Sequence, residues 1–126
     1  MIYTRKRELR NPILIGKIYA DWCFHCKQLK PEWEKMKKKL RSMSKHFIFV
    51  EIESQEEEKM ANFKRKYKGI QVNGYPTIFA IKDNKPEYYM GSRDANSLEQ
   101  WVMSYKTINK RVSNNTRNQR RKRKLI

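Results

Sequence analysis

The chain has 126 residues, 30 Lys or Arg against 13 Asp or Glu, and a formal net charge of +17. That length holds one domain with a real core, and no apolar run approaches the ~18 residues that span a bilayer, so no membrane partner is expected. The charge favours acidic partners or nucleic acid by long-range attraction and says nothing about fold.

In chain order, Met1 to Asn11 carries Arg5, Lys6, Arg7 and Arg10, without the apolar stretch and cleavage site of a secretory leader. Ile13 to Ala20 is nearly continuous apolar sequence, which predicts a buried central strand. Trp22-Cys23-Phe24-His25-Cys26 follows and contains both cysteines of the chain. Leu29, Trp33, Met36, Leu40 and Met43 then recur at helical spacing, predicting a helix from about Cys23 to Ser44, bent near its start by Pro31. The cysteines therefore sit where a strand ends and a helix begins. Free N–H groups and the helix dipole favour an anion there, and a thiol in such a place ionises more readily than a free one.

Phe47 to Ile52 reads as a second strand, and Ser54-Gln55-Glu56-Glu57 as a capping box. The next helix places Met60, Phe63 and Tyr67 on one face and stops at Gly69. Thr77 to Ile81 is a third strand, turning through Asp83-Asn84-Lys85-Pro86 into a fourth, Glu87 to Gly91. Asn96 with Glu99 starts a last helix, buried along Leu98, Trp101, Val102, Tyr105 and Ile108. Beyond Ser113 the apolar periodicity ends, so residues 1–110 are read as the domain and 111–126 as a basic, disordered tail.

The segment Ala20-Asp21-Trp22-Cys23-Phe24-His25-Cys26-Lys27-Gln28-Leu29-Lys30-Pro31 resembles the active site of thioredoxins and protein disulfide isomerases. His25 before the second cysteine is similar to the isomerase version. Gly74-Tyr75-Pro76-Thr77-Ile78 is similar to the family's cis-proline loop, and Tyr88 to Arg93 to its last edge strand and glycine. The resemblance runs over roughly residues 13 to 106. It implies an α/β thioredoxin-like fold, a central mixed sheet flanked by helices, with a shortened N-terminus in which Ile2 to Thr4 would form a vestigial strand. The uncovered sheet face would then invite a second copy or a partner.

The resemblance also implies roles. Cys23 would attack a substrate disulfide and Cys26, the less exposed thiol, would resolve the mixed disulfide. Two buried structural cysteines or half a metal site are the competing reading, but zinc needs more ligands than the two histidines, His25 and His46, provide; no metal and no cofactor beyond the redox-active pair are expected. His25 can set an N–H or a positive charge beside the Cys23 thiolate, moving the potential from about −270 mV towards about −180 mV. Tyr75 and Pro76, joined by a cis bond, would present backbone to an extended substrate. Trp22 is expected to pack beside the cysteines or enter the core, and Phe24 to touch unfolded substrates or narrow access. Lys17 stands where the family usually has a buried acid; it either pairs with Glu51 on the next strand or remains a cation that favours thiolates.

Three functional readings follow. The leading one is an enzyme that forms or rearranges protein disulfides. The others are a thioredoxin-type reductant and a basic binding or packaging protein with weak redox activity. The partners expected are protein thiols and disulfides, a flavin-dependent sulfhydryl oxidase that reoxidises the pair, and a nucleic acid or acidic partner for the 117–124 tail. Disulfide formation without a secretory leader suits the cytoplasm, nucleus or virion of a large DNA virus, an origin the Lys-, Asn- and Ile-rich composition fits.

Overall fold

The computed structural model describes residues 12–43 and 45–105. Strand β1 (Ile13–Tyr19) leads into helix α1 (Phe24–Lys39) and a short 3-10 turn, Arg41–Met43. Strand β2 (Phe47–Glu53), helix α2 (Glu57–Lys66), strands β3 (Thr77–Lys82) and β4 (Lys85–Tyr88), and helix α3 (95–105) complete the order. The sheet runs β2-β1-β3-β4, with β1 parallel to β2 and antiparallel to β3, and β3 antiparallel to β4. This is the mixed thioredoxin-like sheet that the sequence predicts. The vestigial strand, Ile108 and the basic tail lie outside the described residues.

Alternation along the strands divides the core between the two faces. Ile15, Phe47, Ile78 and Ala80 pack with Leu29, Trp33 and Met36 of α1 and Leu98, Val102 and Tyr105 of α3. Ile18, Ile52, Phe79 and Ile81 face the other way, against Met60, Phe63 and Tyr67 of the α2 segment. α2 packs on this second face through partly buried side chains, and none of its own residues is buried.

Three boundaries differ from the sequence reading. The β3–β4 turn is only Asp83-Asn84, both at positive φ (52° and 64°), with Lys82 opposite Lys85. That two-residue mirror-type turn starts β4 at Lys85, two residues early. Pro86 is tolerated because β4 is an edge. The box before α2 is displaced by one residue: Glu56 Oε1 accepts the Glu53 N–H at 2.8 Å and Glu53 Oε1 the Gln55 N–H at 2.6 Å. The N-cap residue of α2 is Glu56, which makes no side-chain cap hydrogen bond, so these bonds order the turn ahead of the helix. Finally, α3 is started by Asp94, which accepts the Ser97 N–H at 3.0 Å, whereas Asn96 lies inside the helix and accepts from Lys39 Nζ at 2.9 Å.

Gly16 stands opposite Phe79 in the β1–β3 pair, where the ring lies close over it. A Cβ there would stand 2.3–2.9 Å from ring atoms of Phe79, itself 0% exposed. Gly16→Ala is expected to destabilise the fold by about 1–3 kcal/mol, because the ring has no free space to enter. A chemical-denaturation midpoint matching that of the parent protein would show instead that Phe79 gives way.

Candidate redox site

The site is built at the junction of β1 and α1. Cys23 takes the N-cap position of α1, and its backbone N–H donates to the Ala20 carbonyl at 3.0 Å. Its Sγ accepts the Cys26 backbone N–H at 3.1 Å. The sulfur thus does what a Ser or Asp oxygen does at other helix starts, satisfying a donor with no intrahelical partner. On its other side the Cys23 thiol faces the Tyr75 carbonyl at 3.7 Å, and the Tyr75–Pro76 bond is cis. Both cysteines are free thiols.

Exposure does not separate the two sulfurs as the sequence suggested. Cys23 is 5% and Cys26 4% exposed, both packed with Ala20, Tyr19 and Tyr75. Burial first, then the hydrogen bond with Cys23, pushes the Cys26 thiol up to about 11. Cys26 therefore keeps its proton at neutral pH until a reaction step draws it off.

The aromatic neighbours form an open rim. Trp22 is 69% exposed, with its ring edge-on to Tyr75 at 5.8 Å, and enters no core. It lies in the short turn between β1 and α1. Phe24, at the first residue of α1, is 66% exposed and lies edge-on to His25, which is exposed as well. His46 is distant in role: its carbonyl accepts the Ile13 N–H at 2.8 Å where the sheet begins.

Lys17 and Glu53 are the buried charged residues among those described. Lys17 is the register partner of Glu51, as its place on β1 predicts, but the pair does not close. The Glu51 carboxylate is taken by Lys37 Nζ at 2.6 Å and Trp33 Nε1 at 3.1 Å. Burial opposes that charge, yet the two donors outweigh it and hold the Glu51 carboxyl below its ordinary value. The Lys17 ammonium lies instead over the rings of Tyr19 (4.7 Å) and Trp33 (5.6 Å). Desolvation pulls its pKa down, opposed by Glu51, Glu34 and Cys26. Lys17, Cys26, Lys30, Glu34 and Glu51 line one cavity of about 270 Å³, so a cation shares a wall with the Cys26 thiol.

Glu53 escaped sequence reasoning. Its Oε2 accepts the Asp21 N–H at 2.8 Å, tying the turn that carries Trp22 and Cys23 to the end of β2. Backbone donors Gln55 and Asp21 hold its carboxyl below the ordinary range. Only the parallel register, with Tyr19 opposite Glu53, brings them together. A second feature it missed is a groove of about 750 Å³ that starts at Tyr75 and Pro76 and ends at Met90, Gly91 and Arg93.

A four-stranded mixed sheet with a dithiol at the head of its first helix defines a thiol-exchange type of α/β domain. Residues 5–104 match the Thioredoxin family, and the chain belongs to it. It is 34% identical over 96 residues to a probable protein disulfide-isomerase A4 of Caenorhabditis elegans, covering 75% of this chain and 14% of that protein. Against protein disulfide-isomerase A6 of Mesocricetus auratus it is 32% identical over 104 residues, 81% of this chain and 22% of that one. The chain thus spans a fifth or so, or less, of these curated relatives' length. The first thioredoxin domain of mouse protein disulfide-isomerase A4 superposes with a TM-score of 0.58 at 26% identity, covering 81% of this chain and 68% of that domain. The J-Trx1 fragment of ERdj5 shares the fold, with a TM-score of 0.62 at 19% identity over 83% of this chain and 48% of that one.

Proposed function

We propose that the protein is a dithiol–disulfide oxidoreductase of the isomerase type, forming or rearranging protein disulfides through Cys23 and Cys26. The observation that carries this is the placement of the Cys23 sulfur, between the head of α1 and the Tyr75 carbonyl. Similarity to the disulfide isomerases supports it.

In the reducing direction the Cys23 thiolate attacks one sulfur of a substrate disulfide. That S–S bond breaks, its second sulfur leaves as a thiolate and takes a proton, and a Cys23–substrate disulfide forms. Cys26 then loses its proton and attacks Cys23 Sγ, closing Cys23–Cys26 and releasing the other substrate thiol. Two electrons pass to the substrate. Oxidation of a substrate dithiol is the same sequence in reverse. His25 beside Cys23 favours the thiolate form, Tyr75 and Pro76 offer backbone to the substrate, and Trp22 and Phe24 supply apolar contact. Lys17 is the tuning residue: a cation across the cavity lowers the cost of a Cys26 thiolate. Protein thiols are the substrates on this reading, a flavin-dependent sulfhydryl oxidase is the electron acceptor, and the 117–124 segment carries a nucleic-acid or acidic partner.

Equilibration of the full chain with glutathione tests the reading. The expected potential lies near −180 mV; a value near −270 mV would make the protein a reductant instead. Because Cys26 is protonated in the resting dithiol, Lys17→Met is expected to leave the neutral-pH potential near the parent's, to raise the Cys26 titration further and to slow the resolving step severalfold, with Lys17→Arg close to the parent. A resolving rate in Lys17→Met equal to the parent's would remove Lys17 from the site.

A further inference from the structure

The groove that runs from Tyr75 to Arg93 contains one formal charge. Its lining includes Asn73, Tyr75, Tyr88, Tyr89 and Met90, and Arg93 is its sole ionisable side chain apart from tyrosine hydroxyls. Among the described residues no carboxylate lines it. The acids nearest in sequence are engaged elsewhere: Asp94 accepts from the Ser92 hydroxyl at 2.6 Å and from the hydroxyl and N–H of Ser97 at 2.7 and 3.0 Å. Glu87 accepts the Tyr105 hydroxyl at 2.6 Å. Arg93 makes no ion pair among the described residues, and its side chain is exposed.

The walls around it are fixed in place. Tyr88 Oη accepts the Gln71 N–H at 2.8 Å and lies 3.4 Å from the Gly69 carbonyl, and the Tyr89 hydroxyl donates to the Ser92 carbonyl. These hydroxyls serve the fold rather than an incoming ligand. What the groove still offers is aromatic surface, the exposed Met90 thioether (91% exposed) and one guanidinium. A guanidinium beside apolar surface suits a carboxylate held in a fork. The chain's charge of +17 draws acidic segments towards it from a distance.

Resting on the oxidoreductase reading above, we propose that Arg93 is a specificity-determining residue: the groove takes an extended polypeptide that carries an Asp or Glu side chain close to its reacting cysteine. Disulfides flanked by acids are exchanged in preference to those flanked by lysine. The groove opens beside Tyr75, whose carbonyl faces Cys23, so one segment can meet the sulfur and the guanidinium together.

The test uses paired peptides that differ only in Glu or Lys at positions up to four residues from a central cysteine. Each is presented as a mixed disulfide, and again as a redox-silent version with Ser for Cys. With the full chain, the best Glu peptide is expected to exchange about threefold to fivefold faster than its Lys counterpart, the range of an exposed ion pair. Arg93→Gln is expected to erase this preference and Arg93→Glu to reverse it. Lys64→Glu on α2, which changes net charge equally, is expected to leave it. The Ser peptides, titrated against labelled protein by NMR, are expected to shift the Met90–Arg93 amides with Glu and not with Lys.

Equal behaviour of Glu and Lys peptides in that titration would overturn the proposal, as would a preference surviving Arg93→Glu or lost equally in Lys64→Glu. Hydroxyethyl disulfide, small and uncharged, reports on the dithiol alone. Its failure to react would count against the oxidoreductase reading, while the NMR titration still decides the groove.

Discussion

Cys26→Ala is expected to halt exchange half-way, leaving the protein joined to its substrate through Cys23. The parent chain is expected to resolve that adduct because a second thiol stands one helical turn from Cys23, whose sulfur already contacts the Cys26 N–H at 3.1 Å. A neighbour held so close acts at an effective concentration no external thiol matches, so removing it should slow release at least about 10³-fold. The adduct would appear as a substrate-sized mass increase on non-reducing gels, reversed by dithiothreitol. Cys23→Ala should form no adduct, since the remaining Cys26 thiol is buried and burial, the largest cause of its raised titration, disfavours its thiolate. Turnover by Cys26→Ala at the parental rate, or adducts on Cys26 in Cys23→Ala, would sink the assignment of attacking and resolving sulfurs.

The second large effect belongs to Trp33, which joins the core to the charged cavity. Its ring is 0% exposed and lies edge-on to Phe49 at 6.3 Å, while its Nε1 donates to Glu51 at 3.1 Å. Trp33→Ala empties a space between α1 and the sheet and is expected to cost about 3–5 kcal/mol. Against a total stability of about 5–15 kcal/mol, that brings a chain of this size close to unfolding. Trp33→Phe keeps most of the apolar contact and loses the hydrogen bond, at about 1 kcal/mol, because Lys37 still satisfies Glu51. Urea midpoints at constant m measure both. Similar losses in the two variants would mean that the indole N–H, rather than ring volume, dominates.

The sequence made the sheet legible because its central strand is buried on both sides and shows as an unbroken apolar run, and because α1 repeats Leu29, Trp33 and Met36 at helical spacing. The two cysteines could be located for the same reason: strand and helix signals converge on them. The errors have a common cause. Ser54 and Asn96 are the residues a local rule selects as caps, but Glu53 accepts the Gln55 N–H and Asp94 the Ser97 N–H, carboxylates that stand one and two residues earlier. Of the two places read for Trp22, the core one falls, because aromatic character alone does not show that a side chain is buried. Lys17 could be aligned with Glu51 from strand order, yet its partner was not legible. Lys37 reaches the same carboxylate from α1, fourteen residues from Glu51 in sequence, and no periodicity reports that.

The sulfur that closes the first turn of α1 has a consequence for the energetics of the whole molecule. Folding and oxidation form a thermodynamic cycle, so the free energy by which the Cys23 cap favours the folded dithiol over the folded disulfide must reappear as oxidising strength. A helix terminus and an electrode potential are here one quantity measured in two ways, and the protein's appetite for electrons is stored in how firmly its own helix begins.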